Sequence, residues 1–128
     1  MRLASAAGEP YCHWPVKRIE AIVKPFKLEE IRQALLEAGV QGLTVFEAEG
    51  IGRQKGHSEI YRGSEYAADM LPKIKMEILV DDERLEAVLV ALTQTARTGK
   101  IGDGKIFVSS IDDLRRIRTG ETGPAALD

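Results

Sequence analysis

Between Lys73 and Val80 the side chains change character at every step: Ile74, Met76, Ile78 and Val80 alternate with Lys73, Lys75, Glu77 and Leu79. A period of two marks a strand with one buried face, because successive Cβ atoms leave a pleated chain on opposite sides. It is the cleanest signal in the chain, and a slip of one residue would turn its apolar row to water. The neighbouring segments say what covers that row. Lys17–Val23 repeats the alternation through Ile19, Ala21 and Val23, and Lys24-Pro25-Phe26 ends it, since proline brings no N–H to a ladder. Leu28, Ile31, Leu35 and Ala38 then recur at helical spacing up to Gly39, a left-handed stop. Gly42–Gly50, with Leu43, Thr44, Val45 and Phe46, reads as a second strand. After Val80, Asp81 or Asp82 caps a helix whose stripe is Leu85, Val88, Leu89 and Leu92, and Ile106-Phe107-Val108 is a short fourth strand.

The predicted order is β-α-β, a long loop, then β-α-β. This is an α+β chain with a ferredoxin-like βαββαβ sandwich, both helices on one face and the long loop between strands 2 and 3. The other face carries Arg18, Glu20, Ile22, Lys75, Glu77 and Leu79, too mixed for plain solvated surface. It is expected to pack against copies of the chain in closed cyclic symmetry. The 128 residues suit one domain. Residues 16–121 carry the pattern. Residues 1–15 have no period and no apolar stretch of a signal peptide, and read as a disordered N-terminal extension. Residues 122–128 read as a flexible C-terminal tail. Cys12 and His13 are adjacent without a partner pair, a weak metal signal, and a single cysteine excludes an intrachain disulfide. The net charge of −2 offers no global basic field, so nucleic acid or an anionic membrane would need a local patch. No apolar run approaches the roughly 18 residues of a membrane span. A reducing cytoplasm is the default expectation.

Two glycine-rich segments carry what chemistry there is. The stretch from Gly50 to Met70 has no helical stripe and no sustained alternation. Long loops inside compact domains are functional or disordered, and the strand signals abutting this one favour function. With no packed core of their own, residues 53–69 are expected to sample many conformations. In the second segment, Gly102-Asp103-Gly104-Lys105 lets backbone N–H groups approach a phosphate, with Lys105 or Lys100 adding charge. It is not a Walker loop, and no helix follows Gly50-Ile51-Gly52, so the dinucleotide fingerprint fails. Each glycine pair alone also fits a plain turn. Arg116 and Arg118 alternate on an extended tail and point the same way, towards an anion or simply into solvent. Catalysis finds little support. No nucleophile motif is present and His57 stands alone. The pairs Glu29-Glu30, Asp81-Asp82 and Asp112-Asp113 sit at or near predicted helix starts, where negative charge favours the dipole.

Longer motifs are more specific: Lys24-Pro25-Phe26-Lys27, Gly52-Arg53-Gln54-Lys55-Gly56-His57, Tyr61-Arg62-Gly63-Ser64-Glu65-Tyr66, the run from Thr98 to Val108, and Arg116-Ile117-Arg118-Thr119-Gly120-Glu121. Together, from about Val16 to Glu121, they resemble the PII nitrogen-regulatory signal proteins. That resemblance implies a cytoplasmic homotrimer of ferredoxin-like subunits with clefts between neighbours that bind ATP or ADP. It implies that Gly102, Asp103, Gly104 and Lys105 cradle phosphates, that Gly52 and Arg53 help from the base of the long loop, and that Thr44 and Leu79 lie by the nucleotide's base. Arg116 and Arg118 would reach in from the adjacent subunit. With ATP and Mg²⁺ bound, the effector would be 2-oxoglutarate, held by Lys73, Gly102 and Gln54, with Gln54 also a metal ligand. A dianion beside a triphosphate needs such cations to offset the repulsion.

The long loop is the family's output. The resemblance implies partners among ammonium transporters, nitrogen-metabolism enzymes or regulators and a modifying nucleotidyltransferase, with no nucleic acid, and with a membrane reached only through a transporter. Arg62 matches the residue that plugs ammonium-channel pores. Tyr66 matches a uridylylated position and Ser64 a phosphorylated one; both residues are present, so the choice stays open. Two departures stand out. Ile51 and Ala48 replace commoner bulky or charged residues near the loop base, and residues 1–15 lie outside the pattern, as an over-annotated start or a dispensable tail would. The implied protein is a sensor and not an enzyme. The rivals are a slow ATPase using the same cleft, and an RNA binder, which would need exposed aromatic pairs on the central strands that are absent here.

Overall fold

The alternation at Lys73–Val80 becomes one of the two inner strands of a four-stranded sheet. The computed structural model describes residues 14–50, 58–61, 64–67 and 71–127. In chain order the elements are β1 (Val16–Val23), α1 (Leu28–Glu37), β2 (Thr44–Gly50), β3 (Ser58–Tyr61), β4 (Ser64–Ala67), β5 (Leu71–Asp81), α2 (Asp82–Ala96) and β6 (Lys105–Ser110). The sheet order is β2-β5-β1-β6, and every neighbouring pair is antiparallel. This is the expected ferredoxin-like arrangement. Its register places Ile19 opposite Ile78, Ala21 opposite Met76 and Val23 opposite Ile74. These side chains form one face, and Ile31 and Leu35 of α1 with Val88 and Leu92 of α2 close over it as a single core. Both helices therefore lie on that face.

Local chemistry sets the element ends. Gly39 takes φ +92°, and its turn lets the Val40 N–H reach the Leu35 carbonyl at 2.9 Å. Asp81 caps α2, its carboxylate accepting from the Arg84 N–H at 2.8 Å, with Asp82 and Glu83 in the first turn. Glu29 and Glu30 stand likewise in the first turn of α1. The third acidic pair departs from expectation. β6 ends at Ser110 and no helix starts at Asp112-Asp113; Asp113 instead pairs with Arg115 at 3.1 Å. The chain there turns back on itself through a bridge between Arg115 and Thr122, so the residues directly after Asp113 do not enter a helix.

Two other segments contain secondary structure that the sequence pattern did not mark. Within the long connection, β3 and β4 pair from Ser58 opposite Ala67 to Tyr61 opposite Ser64. The tail folds too: residues Gly123–Ala126 make a 3₁₀ turn, begun by the Gly123 N–H donating to Leu114 at 2.9 Å. The two described residues of the leader join this body. The Pro15 carbonyl accepts from the Asp82 N–H at 3.0 Å, and the Trp14 ring lies against Gly123. Cys12 and His13 lie outside the described residues.

The face away from the helices is a charge network ringed by apolar groups. Glu20 is buried between Arg18 at 2.8 Å and Lys75 at 3.2 Å, and Lys75 stands 5.7 Å over the Phe46 ring. Phe46, Leu79 and Phe107 around it remain 45, 38 and 47% exposed.

Candidate functional site

Lys24 follows directly on β1 and Lys73 stands near the start of β5, so the antiparallel register brings two ammonium groups to one end of the sheet. The connection from α2 to β6 folds over that end. Asp103 organises it: one carboxylate oxygen accepts from the backbone N–H groups of Thr98 at 2.8 Å and Gly99 at 2.9 Å. The other accepts from the Thr98 hydroxyl and meets Lys24 Nζ at 3.2 Å. The Thr98 hydroxyl, these N–H groups and Lys24 hold the Asp103 carboxyl well below the usual carboxylate range, although burial pulls the other way. Lys73 is buried at 6% exposure and donates to the Gly102 carbonyl at 2.7 Å. Burial, and then the neighbouring Lys24, push its pKa down, while Asp103 partly restores it.

The backbone is as tightly placed as the charges. Gly102 and Gly104 take φ +95° and +103°. A Cβ on Gly104 would sit 1.6 Å from the Ile22 carbonyl oxygen, so the loop lies on the last residues of β1 as only glycine allows. Lys73 runs along Gly50, where a Cβ would come within 2.9 Å of its Cγ. The base of the long connection thus rests on the Lys73 stem. Arg97 and Lys105 add cations beside Gly104, around a groove of about 340 Å³. Among the described residues, Lys24 and Lys73 are set against the Asp103 carboxylate alone, an arrangement suited to an anion.

The other expected residues assemble elsewhere. Thr44 pairs with Glu77, whereas Gly50 at the far end of β2 pairs with Leu71. Thr44, Glu77 and Leu79 line a cleft of about 320 Å³ with Arg84 and Leu127. Thr44 and Leu79 therefore do not join Gly102–Lys105 within one chain, because β2 and β6 are opposite edge strands. Arg116 does not line the Thr44 cleft but holds the segment that ends in its lining residue Leu127. It donates to Glu121 at 2.7 Å and to the Ala125 carbonyl at 3.3 Å, two residues before Leu127. Arg118 is exposed. Ser64 and Tyr66 fall in β4, while Gly52, Arg53, Gln54 and Arg62 lie outside the described residues.

Lys24 and Thr98 stand in motifs that the sequence marked, but it assigned neither of them a place in the site. A Thr-Gly start followed by Asp103 is turn chemistry in which a carboxylate gathers local N–H groups, but the lysine partner comes from a strand 74 positions away from Thr98.

The sequence profile described as "Nitrogen regulatory protein P-II" matches residues 16–121. The chain belongs to the P-II family. It is 60% identical over 112 residues to the nitrogen regulatory protein P-II of Rhizobium meliloti (strain 1021), covering 88% of this chain and 100% of that one. A P-II protein of Rhodobacter capsulatus is 59% identical over the same lengths. Among solved structures, Arabidopsis thaliana PII bound to citrate superposes with a TM-score of 0.70 at 37% identity, covering 88% of this chain and 92% of that one. P-II relatives are named as regulatory proteins, and a nitrogen-regulatory signalling role follows for this chain. Among the described residues, no helix is long and apolar enough to cross a membrane.

Proposed function

We propose that this chain is a non-enzymatic, cytoplasmic sensor that reads ATP or ADP together with 2-oxoglutarate and reports through its long connection. The observation that carries the reading is Lys73: a buried ammonium with a lowered pKa, one carbonyl as partner and a second lysine beside it. A dicarboxylate brought to that position would relieve both the burial and the repulsion. The plant relative solved with citrate, a polycarboxylate, supports this by analogy. Phosphates would take the N–H groups of Gly102–Lys105 and the Lys105 ammonium. A Mg²⁺ ion would arrive on the triphosphate, because this hard cation keeps phosphate and water oxygens around it, and Gln54 would be its protein ligand.

The split between the two groups of residues supports a homotrimer. Gly102–Lys105 and Lys73 would form half of each nucleotide site, and a neighbour's Thr44, Leu79, Arg116 and Arg118 the other half. Lys73 lies along Gly50, so filling the effector position would move the base of the connection that carries Gly52, Arg53 and Gln54. Arg62 would then serve docking to an ammonium transporter, and Tyr66 or Ser64 would take the modifying group. Enzymes or regulators of nitrogen metabolism would be the other partners.

Calorimetric titration tests the scheme. 2-Oxoglutarate should bind in the presence of MgATP and not of ADP, and Lys73→Ala should weaken it by about 2–5 kcal/mol while affecting ATP much less. Equal binding with ADP, or normal binding by the variant, would refute it. Steady phosphate release at saturating ATP would favour the ATPase instead.

A further inference from the structure

Trp14 is the single tryptophan of the chain, and it lies before the segment matched to the family, residues 16–121. A Cβ built on Gly123 would stand 2.7, 2.8 and 3.1 Å from three carbons of its ring. Gly123 is buried with φ +68°, so ring and backbone are in direct contact and a side chain at this position would have to displace the ring. The turn that starts there presents the Ala125 carbonyl to Arg116, whose other terminal nitrogen is held by Glu121. It also brings Leu127 into the cleft lined by Thr44, Glu77 and Leu79. The aromatic ring packs against a segment, itself returned to Leu114 by the Gly123 N–H, that both engages Arg116 and lines the cleft.

We propose that Trp14 is the latch of an autoinhibitory strap. Residues 120–127 hold Arg116 on its own chain and Leu127 in the cleft, and the strap swings out before a nucleotide enters. The inference rests on reading that cleft as half of a nucleotide site. Arg116 cannot offer the same N–H groups to a phosphate while Glu121 and Ala125 hold them, and the Glu121 carboxylate would repel the incoming anion. Only the open fraction binds, so apparent affinity falls in proportion to that fraction. The leader would then set nucleotide affinity, a role its place outside the family segment did not suggest. Had Trp14 instead prepared Arg116 for the ligand, removing it would weaken binding.

The test uses the full chain with ADP as probe. Trp14→Ala should bind ADP about 3–10-fold more tightly by calorimetry, as a larger open fraction requires. Because the wild-type chain has one tryptophan, its fluorescence reports the latch without any variant: emission should shift to longer wavelength as ADP saturates. Unchanged or weaker binding by Trp14→Ala overturns the latch. So does an unmoved emission while calorimetry shows ADP bound, and both results leave the nucleotide site standing. Absence of ADP binding by either chain overturns the site and the latch together.

Discussion

A methyl group at Gly104 would have to pass through the Ile22 carbonyl oxygen, 1.6 Å away, whereas one at Gly99 would meet nothing within 4 Å. Both glycines have positive φ, so both alanine variants carry the left-handed penalty of about 1–2 kcal/mol. Gly99→Ala should lose about that much by urea denaturation. Gly104→Ala should lose clearly more, with β6 pushed off β1; equal losses would mean the close approach is unimportant. Asp103 makes a pH-dependent counterpart. Its folded pKa lies below the unfolded value of 3.8, so its stabilisation is complete above that value and fades as acidification approaches the folded pKa. Asp103→Asn should therefore be less stable than wild type near neutrality, and the gap should narrow steadily below pH 3.8. A gap independent of pH would show that the charge is irrelevant. The sequence marked Gly102, Asp103, Gly104 and Lys105 as one loop, but not the part Asp103 plays in holding that loop together. Asp103 works through Lys24, and only the sheet register brings that lysine to the loop.

At the scale of elements, each boundary has an identifiable cause. Asp81→Ala removes the side chain that accepts the Arg84 N–H, and should cost about 0.5–2 kcal/mol with fraying confined to the first turn of α2, readable by amide exchange. Loss of protection along all of α2 would contradict a local cap. What was legible at this scale followed the length of the pattern. β5 alternates over enough residues to leave no doubt about its faces, and the stripes of both helices lie where spacing put them. β3 and β4 are four residues each, too short to sustain a period. The turn at Gly123 was unreadable for another reason. It depends on an aromatic contact from the opposite end of the sequence. Asp112-Asp113 misled because an acidic pair favours a helix start only where a helix can follow.

For the molecule as a whole, the uncovered face of the sheet is the feature to explain. Buried Glu20 is held by Arg18 and Lys75, and Arg18 Nε is buried without a hydrogen-bond partner among the described residues, an arrangement that a second copy could complete. Light scattering should give three times the 14.1 kDa chain mass. Glu20→Ala leaves two cations uncompensated and should drive the assembly towards monomer, whereas an unaltered mass would exclude this face from the contact. The fold was legible at this scale because alternation and stripe lengths suffice for it. The separation of Thr44 and Leu79 from Gly102–Lys105 was not, since proximity across a sheet is a matter of register and not of sequence order.

Lys73 and Leu79 share one face of β5, about 20 Å apart at the usual rise per residue. The strand between them is bonded to β1 on one side and β2 on the other. Such a strand neither stretches nor buckles easily. With both ends occupied as proposed, it would act as a push-rod with a socket at either end, delivering displacement at one end to the other. In a closed ring of three copies the two sockets of each rod would open onto different neighbours. Occupancy of one cleft would then be passed mechanically to the next, like slack taken up along coupled carriages.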